Sequence, residues 1–151
     1  MTWSTRLAEL GIELPGVAAP LAAYVPAVRS GSQVYTSGQL PFVDGKLAAT
    51  GKVGAEISPE EAQRHARTAV LNALAAVDSV AGIDNVVRIV KVVGFVASAE
   101  GFTGQPAVVN GASEVLGEIF GESGIHARSA VGVAELPIGS PVEIELIVEV
   151  A

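Results

Sequence analysis

Nine residues near the C-terminus, Val142 to Val150, alternate without a break. Val142, Ile144, Leu146, Val148 and Val150 fall on one face of an extended strand, and Glu143, Glu145, Ile147 and Glu149 on the other. Slipping this strand by one residue would expose its whole apolar set, so its register is strongly specified. The pattern also demands an apolar layer over one face, and two helices can supply it. Ser58-Pro59-Glu60-Glu61 combines an N-cap serine, proline at the first helical position and glutamate at the third, the pattern of a capping box. Ala62, Ala66, Ala69, Val70, Ala73, Leu74 and Val77 then recur at helical spacing, and Gly82 is the stop. A second helix is predicted over Pro106 to Phe120, ending near Gly121.

Other segments complete the sheet. Val25 to Val28 and Gln33 to Ser37 are strand-like and joined by Arg29-Ser30-Gly31-Ser32, a hairpin in which glycine supplies positive φ. Gln39-Leu40-Pro41 leaves the sheet, Asp44-Gly45 signals a second turn, and Gly51 and Gly54 suggest an extended loop. Val86 to Val96 reads as a central strand and Ser129 to Val133 as another. The order β-β-α-β-α-β-β makes an α+β two-layer sandwich over residues 24–151. Residues 1–23 form an N-terminal arm with a short amphipathic helix, Ser4 to Leu10, and end their proline-containing stretch near Pro20. The second face of the sheet, with Ile147 and small residues, needs cover and is expected to meet another subunit.

A chain of 151 residues is one ordinary domain and buries about 68–70% of the surface its unfolded form exposes. It has no cysteine, so disulfides, thiolate metal sites and a thiol nucleophile are excluded. This composition fits a reducing, cytoplasmic setting. The first residues lack a basic segment followed by a long apolar one, so they are not read as a secretory leader. No apolar run approaches the ~20 residues that span a bilayer, so no membrane partner is expected. The net charge is −7, and the nine lysines and arginines are scattered, which argues against a nucleic-acid partner. His65 and His126 are far apart in sequence and not at a metal-ligand spacing, so no metal site is expected. His65 reads as a helix-surface residue, and His126 as a loop residue in preference to one on the rim of a cleft.

Chemistry concentrates near Arg128. On a strand from Arg128 to Ala134, Arg128, Ala130, Gly132 and Ala134 share a face, so a planar guanidinium has small neighbours and room to hold a carboxylate by two parallel hydrogen bonds. Read alone, the arginine could equally pair with one of the chain's many carboxylates. Tyr24 could be strand packing, Ser37-Gly38 a bend, and Glu143 one of three solvated carboxylates on the last strand. Asn110 could be a surface helix residue, but Asn110-Gly111 is unfavourable inside a helix, and that local conflict tips the reading slightly toward a functional reason.

The arrangement Arg128-Ser129, Leu136-Pro137 and Val142-Glu143-Ile144-Glu145 resembles the C-terminal signature of the RidA/YjgF family. Tyr24-Val25 and Tyr35-Thr36-Ser37-Gly38-Gln39-Leu40-Pro41 are similar to its tyrosine and T-S-G-Q-[IL]-P motif, and Val109-Asn110 to its asparagine. The resemblance runs from about Tyr24 to Val150. The longer N-terminus and Gly101–Pro106 loop suggest a divergent subgroup. The resemblance implies a chorismate-mutase-like α+β fold, a homotrimer with clefts between subunits, and hydrolysis of imino and enamine acids to keto acids with no cofactor. In it Arg128 grips the substrate carboxylate, Glu143 orients or deprotonates water, and Tyr24, Ser37, Asn110 and Ala130 line the cleft. Ala130 departs from the pattern, since many active members carry cysteine there. Three rivals remain: a non-catalytic carboxylate-binding trimer, a ribonuclease, and a chorismate-mutase-like pericyclic enzyme.

Overall fold

The computed structural model describes residues 1–19 and 22–151. Helix α1 is Trp3–Glu9 and strands β1 and β2 are Ala27–Ser30 and Gln33–Thr36. Two short strands, β3 (Phe42–Val43) and β4 (Lys46–Leu47), precede helix α2, Pro59–Ala81. Strand β5 (Val86–Ala97), helix α3 (Gln105–Phe120), and strands β6 (Ala127–Val133) and β7 (Val142–Val150) complete the chain. The main sheet has the order β1-β2-β7-β5-β6, with β5 and β6 parallel and every other pair antiparallel. This is the expected α+β sandwich, with α2 and α3 on one face.

The strand with the cleanest alternation lies at the centre. Val142, Ile144, Leu146, Val148 and Val150 are all buried, while the four residues between them are half-buried. Facing them on α2 is the row of alanines with Val70, Leu74 and Val77, and on α3 are Val108, Val109, Val115 and Leu116. Ser58 caps α2 by accepting from the Glu61 N–H, and Gly82 ends it at φ +79. The capping box is only half made, because the Glu61 carboxylate bonds His65 Nε2 at 3.0 Å instead.

Several boundaries differ from the expected ones. β1 begins at Ala27 rather than Val25 because Pro26 has no N–H to give the ladder. Ser30 pairs with Gln33, so the turn contracts to Gly31-Ser32 with Gly31 at φ +61. Asp44-Gly45 closes a hairpin between β3 and β4 that the sequence pattern did not show as strands. Both turn residues have positive φ, as a type I′ turn requires.

The N-terminal helix packs into the same core. Leu7 is buried, the Trp3 ring meets Phe120 edge-on at 5.1 Å, and Trp3 Nε1–H donates to the Val86 carbonyl at 2.8 Å. The expected end of the arm near Pro20 lies outside the described residues.

The glycine half of the Asn110-Gly111 conflict has a packing cause. A methyl group there would collide with the Gln63 carbonyl oxygen, so the backbones of α2 and α3 touch at this point. Gly111→Ala is expected to destabilise the protein by about 3 kcal/mol, the upper range for overpacking. Gly117, on the same helix, has open space around its Cβ position, and Gly117→Ala should instead add about 0.5–1 kcal/mol. Denaturant midpoints of the two variants, moving in opposite directions, check the assignment.

Candidate functional site

The parallel register of β5 and β6 sets Val92 beside Arg128 and Gly94 beside Ala130. Val92 and Gly94 are buried on the helix side, so Arg128 and Ala130 point to that side too. There α3 takes hold of the guanidinium. Arg128 Nη1 donates to Asn110 Oδ1 at 2.7 Å and to Ser113 Oγ at 3.2 Å, and Nη2 donates to the Pro106 carbonyl at 3.3 Å. All three acceptors are neutral. Among the described residues no carboxylate lies within salt-bridge distance of Arg128. Within one chain the ordinary ion-pair reading of this arginine thus finds no carboxylate among the described residues. A half-buried cation held by neutral groups, with Nε–H and one Nη2 hydrogen unspent, is suited to receive an anion.

Glu143 is elsewhere. It pairs across the sheet with Phe95 and lies on the face opposite Arg128. A small cavity there is lined by Tyr24, Pro26, Gly38, Leu40, Pro137 and Glu143, with Ala18 and Ala19 of the arm at its edge. The Glu143 carboxylate lies over Gly38: a Cβ at that position would be 2.5 Å from Oε2 and would push the carboxylate aside. Burial, and secondly the charge of Glu145 two positions along, raise the Glu143 pKa above its ordinary value. Burial also raises that of Glu145. Glu143 takes part in no hydrogen bond with the described residues, which leaves its oxygens available as acceptors or as a base.

The segment that carries Gly38 is fixed from both sides. Ser37 Oγ donates to the Val25 carbonyl at 2.6 Å, tying down the strand that follows Tyr24. Buried Asn72 on α2 donates to the carbonyls of Leu40 and Phe42 at 3.0 and 3.1 Å. Ser37 thus braces the wall of the cavity.

One chain therefore places the candidate residues in two groups on opposite faces of the sheet. Arg128, Asn110 and Ala130 gather on the helix side at edge strand β6, and Tyr24, Gly38 and Glu143 on the open side. Sequence reasoning missed Ser113 and preferred a loop role for His126 over one at the rim of the cleft. His126 Nε2 is 2.9 Å from Ser113 Oγ. The available signal was spacing: Ser113 is one helical turn beyond Asn110, and His126 sits two residues before Arg128.

Known proteins agree with this architecture. A family model described as "YjgF/chorismate_mutase-like, putative endoribonuclease" matches residues 4–150. "Protein TCP17" of Trypanosoma cruzi is 45% identical over 148 residues, covering 97% of this chain and 92% of that protein. The "2-iminobutanoate/2-iminopropanoate deaminase" of Dermatophagoides farinae is 35% identical over 137 residues, or 91% and 93% of the two chains. The crystal structure of Atu1372 from Agrobacterium tumefaciens is 44% identical, with a TM-score of 0.90 over 99% of this chain and 92% of that one. The order of elements, the sequence motifs and a match over almost the whole length agree, and the chain belongs to the RidA/YjgF, chorismate-mutase-like family.

Proposed function

We propose that this protein is a cofactor-independent deaminase that hydrolyses reactive 2-imino and enamine acids to 2-keto acids and ammonia. The observation that carries the reading is the Arg128 guanidinium, held in place by neutral acceptors and paired with no carboxylate among the described residues of its own chain. The similarity to a protein named 2-iminobutanoate/2-iminopropanoate deaminase supports the same chemistry. Arg128 binds the substrate carboxylate with its free donors and fixes the imine carbon for attack. Glu143 takes a proton from water as the new C–O bond forms and the C=N electron pair moves to nitrogen. Glu143 then returns the proton to nitrogen; as the C–N bond breaks and ammonia leaves, the hydroxyl O–H proton passes back to the Glu143 carboxylate and the carbonyl forms.

Arg128 and Glu143 lie on opposite faces of one sheet, so a single chain does not bring them to one ligand. We propose that the cleft forms between subunits of a homotrimer, with Arg128 from one copy and Glu143 and Tyr24 from the next. The exposed apolar residues on the open face support assembly: Tyr35 is 45% exposed, Val28 53% and Val131 44%. An obligate interface of this kind buries more than ~2,000 Å² in total. The cysteine-free chain suits the reducing cytoplasm, where we place its action.

Mixing two inactive variants tests the whole reading. Arg128→Ala and Glu143→Gln homotrimers are each expected to be inactive toward imino acids generated by a pyridoxal-phosphate dehydratase. Co-refolded mixtures should regain keto-acid release, because some clefts then receive both native residues. Mixtures as inactive as their parents, or a stable monomer in sedimentation at micromolar concentration, would exclude the intersubunit cleft. Ala130, in place of the cysteine of many active members, favours a second reading: a trimer that binds small carboxylates without turning them over. Keto-acid release no faster than in the absence of protein would select it.

A further inference from the structure

His126 sits in a hydrogen-bond chain whose two ends are chemically fixed. Its Nδ1 is 2.6 Å from the Gly124 carbonyl oxygen, which can only accept, so Nδ1 carries a proton. At the other end the Arg128 guanidinium can only donate, and Nη1 donates to Ser113 Oγ at 3.2 Å. Between these ends Ser113 Oγ and His126 Nε2 are 2.9 Å apart. In the neutral ring Nε2 accepts, so the Ser113 proton points to His126. That leaves a Ser113 lone pair for Arg128. In that form the polarity runs one way, from Arg128 through Ser113 and His126 to the Gly124 carbonyl.

This chain limits what Arg128 can do. Both Nη1 protons are committed to α3, one to Asn110 and one to Ser113, which lie one helical turn apart. The side chain of an arginine has many rotamers, and two bonds on one nitrogen remove most of them before a ligand arrives. No carboxylate lies within salt-bridge distance of His126 among the described residues. Arg88 of β5 donates to the Ile125 carbonyl at 3.4 Å beside it.

We infer that His126 and Ser113 are positioning residues for Arg128, holding Nη1 against α3 so that the remaining guanidinium donors face an incoming carboxylate. The inference rests on Arg128 being the carboxylate anchor. It assigns no bond-making role to either residue.

Calorimetry with pyruvate on the assembled protein tests it, with Arg128→Ala as reference. His126→Leu removes the acceptor for Ser113, and Ser113→Ala removes the acceptor for Arg128. Each is expected to weaken pyruvate binding roughly 10-fold, or about 1.4 kcal/mol. His126→Gln, which keeps an acceptor oxygen and a donor N–H, should recover most of the affinity. The double variant should be no weaker than either single one, because the two residues act as a unit. In turnover the loss should appear in KM more than in kcat. Parent-like affinity in His126→Leu, beside lost binding in Arg128→Ala, would overturn the inference and leave the anchor standing. Parent-like affinity in Arg128→Ala would remove both. If His126→Leu does not assemble, Ser113→Ala decides by the same criterion.

Discussion

Glu143→Gln is expected to slow imine hydrolysis by about 10²–10⁴-fold, the usual worth of a general base, while pyruvate still binds. The substitution keeps the shape of a side chain that lies over Gly38, so loss of basicity is separated from loss of fit. Glu145→Gln is the matched control on the same strand face, and the structure refines what it should show. Glu145 is the second cause, after burial, of the raised Glu143 pKa. Removing that charge lowers the Glu143 pKa. The base must be ionised to work, so the rate falls as pH drops through its raised value. In Glu145→Gln this acidic limb should move to lower pH, with the rate at neutral pH nearly unchanged. Steady-state rates from pH 4 to 8 on folded oligomers read both effects. A Glu143→Gln variant as fast as the parent would transfer the role of base to another group.

Arg128→Ala should cost roughly 2–5 kcal/mol of pyruvate binding, and Arg128→Lys should recover little of it. Lysine offers one compact charge. It cannot serve Asn110, Ser113 and the Pro106 carbonyl while also presenting a fork to a ligand. Stability should respond weakly, because no carboxylate loses its partner and the freed acceptors are not fully buried. Calorimetry and a melting curve on the same sample decide between the two roles. A large fall in melting temperature with unchanged affinity would make Arg128 a structural residue.

The elements that were legible in the sequence carry their own periodicity. β7 was read to its last residue because burial on one side leaves a strict alternation, and α2 because its serine cap, proline and glycine stop are local signals. The β3–β4 hairpin was hidden because strands of two residues are too short to have a period. Gly111 misled for a related reason: the contact that demands glycine comes from Gln63, 48 positions earlier, and no local pattern records it. The site residues were found through motif resemblance, not through pattern. Alternation alone, applied to β5, β6 and β7, could have separated Arg128 from Glu143, but only once their register was known. Ser113 stayed unseen and the rim position of His126 ranked second, because a serine on a helix and a histidine before a strand acquire meaning only from the arginine they support.

The position of β7 bears on how the protein is made. It is the last strand in sequence, yet it lies between β2 and β5 and hydrogen-bonds to both. Until residues 142–150 leave the ribosome, β2 and β5 have no common partner and each presents a bare row of N–H and C=O groups. The pairing of β2 with β7 spans more than a hundred residues, so closing it is slow compared with forming α2 or α3. A nascent or prematurely terminated chain would thus expose two templates for pairing with other chains at once. Insertion of β7 removes both templates in a single step, so the last nine strand residues close the sheet and protect it from other chains together.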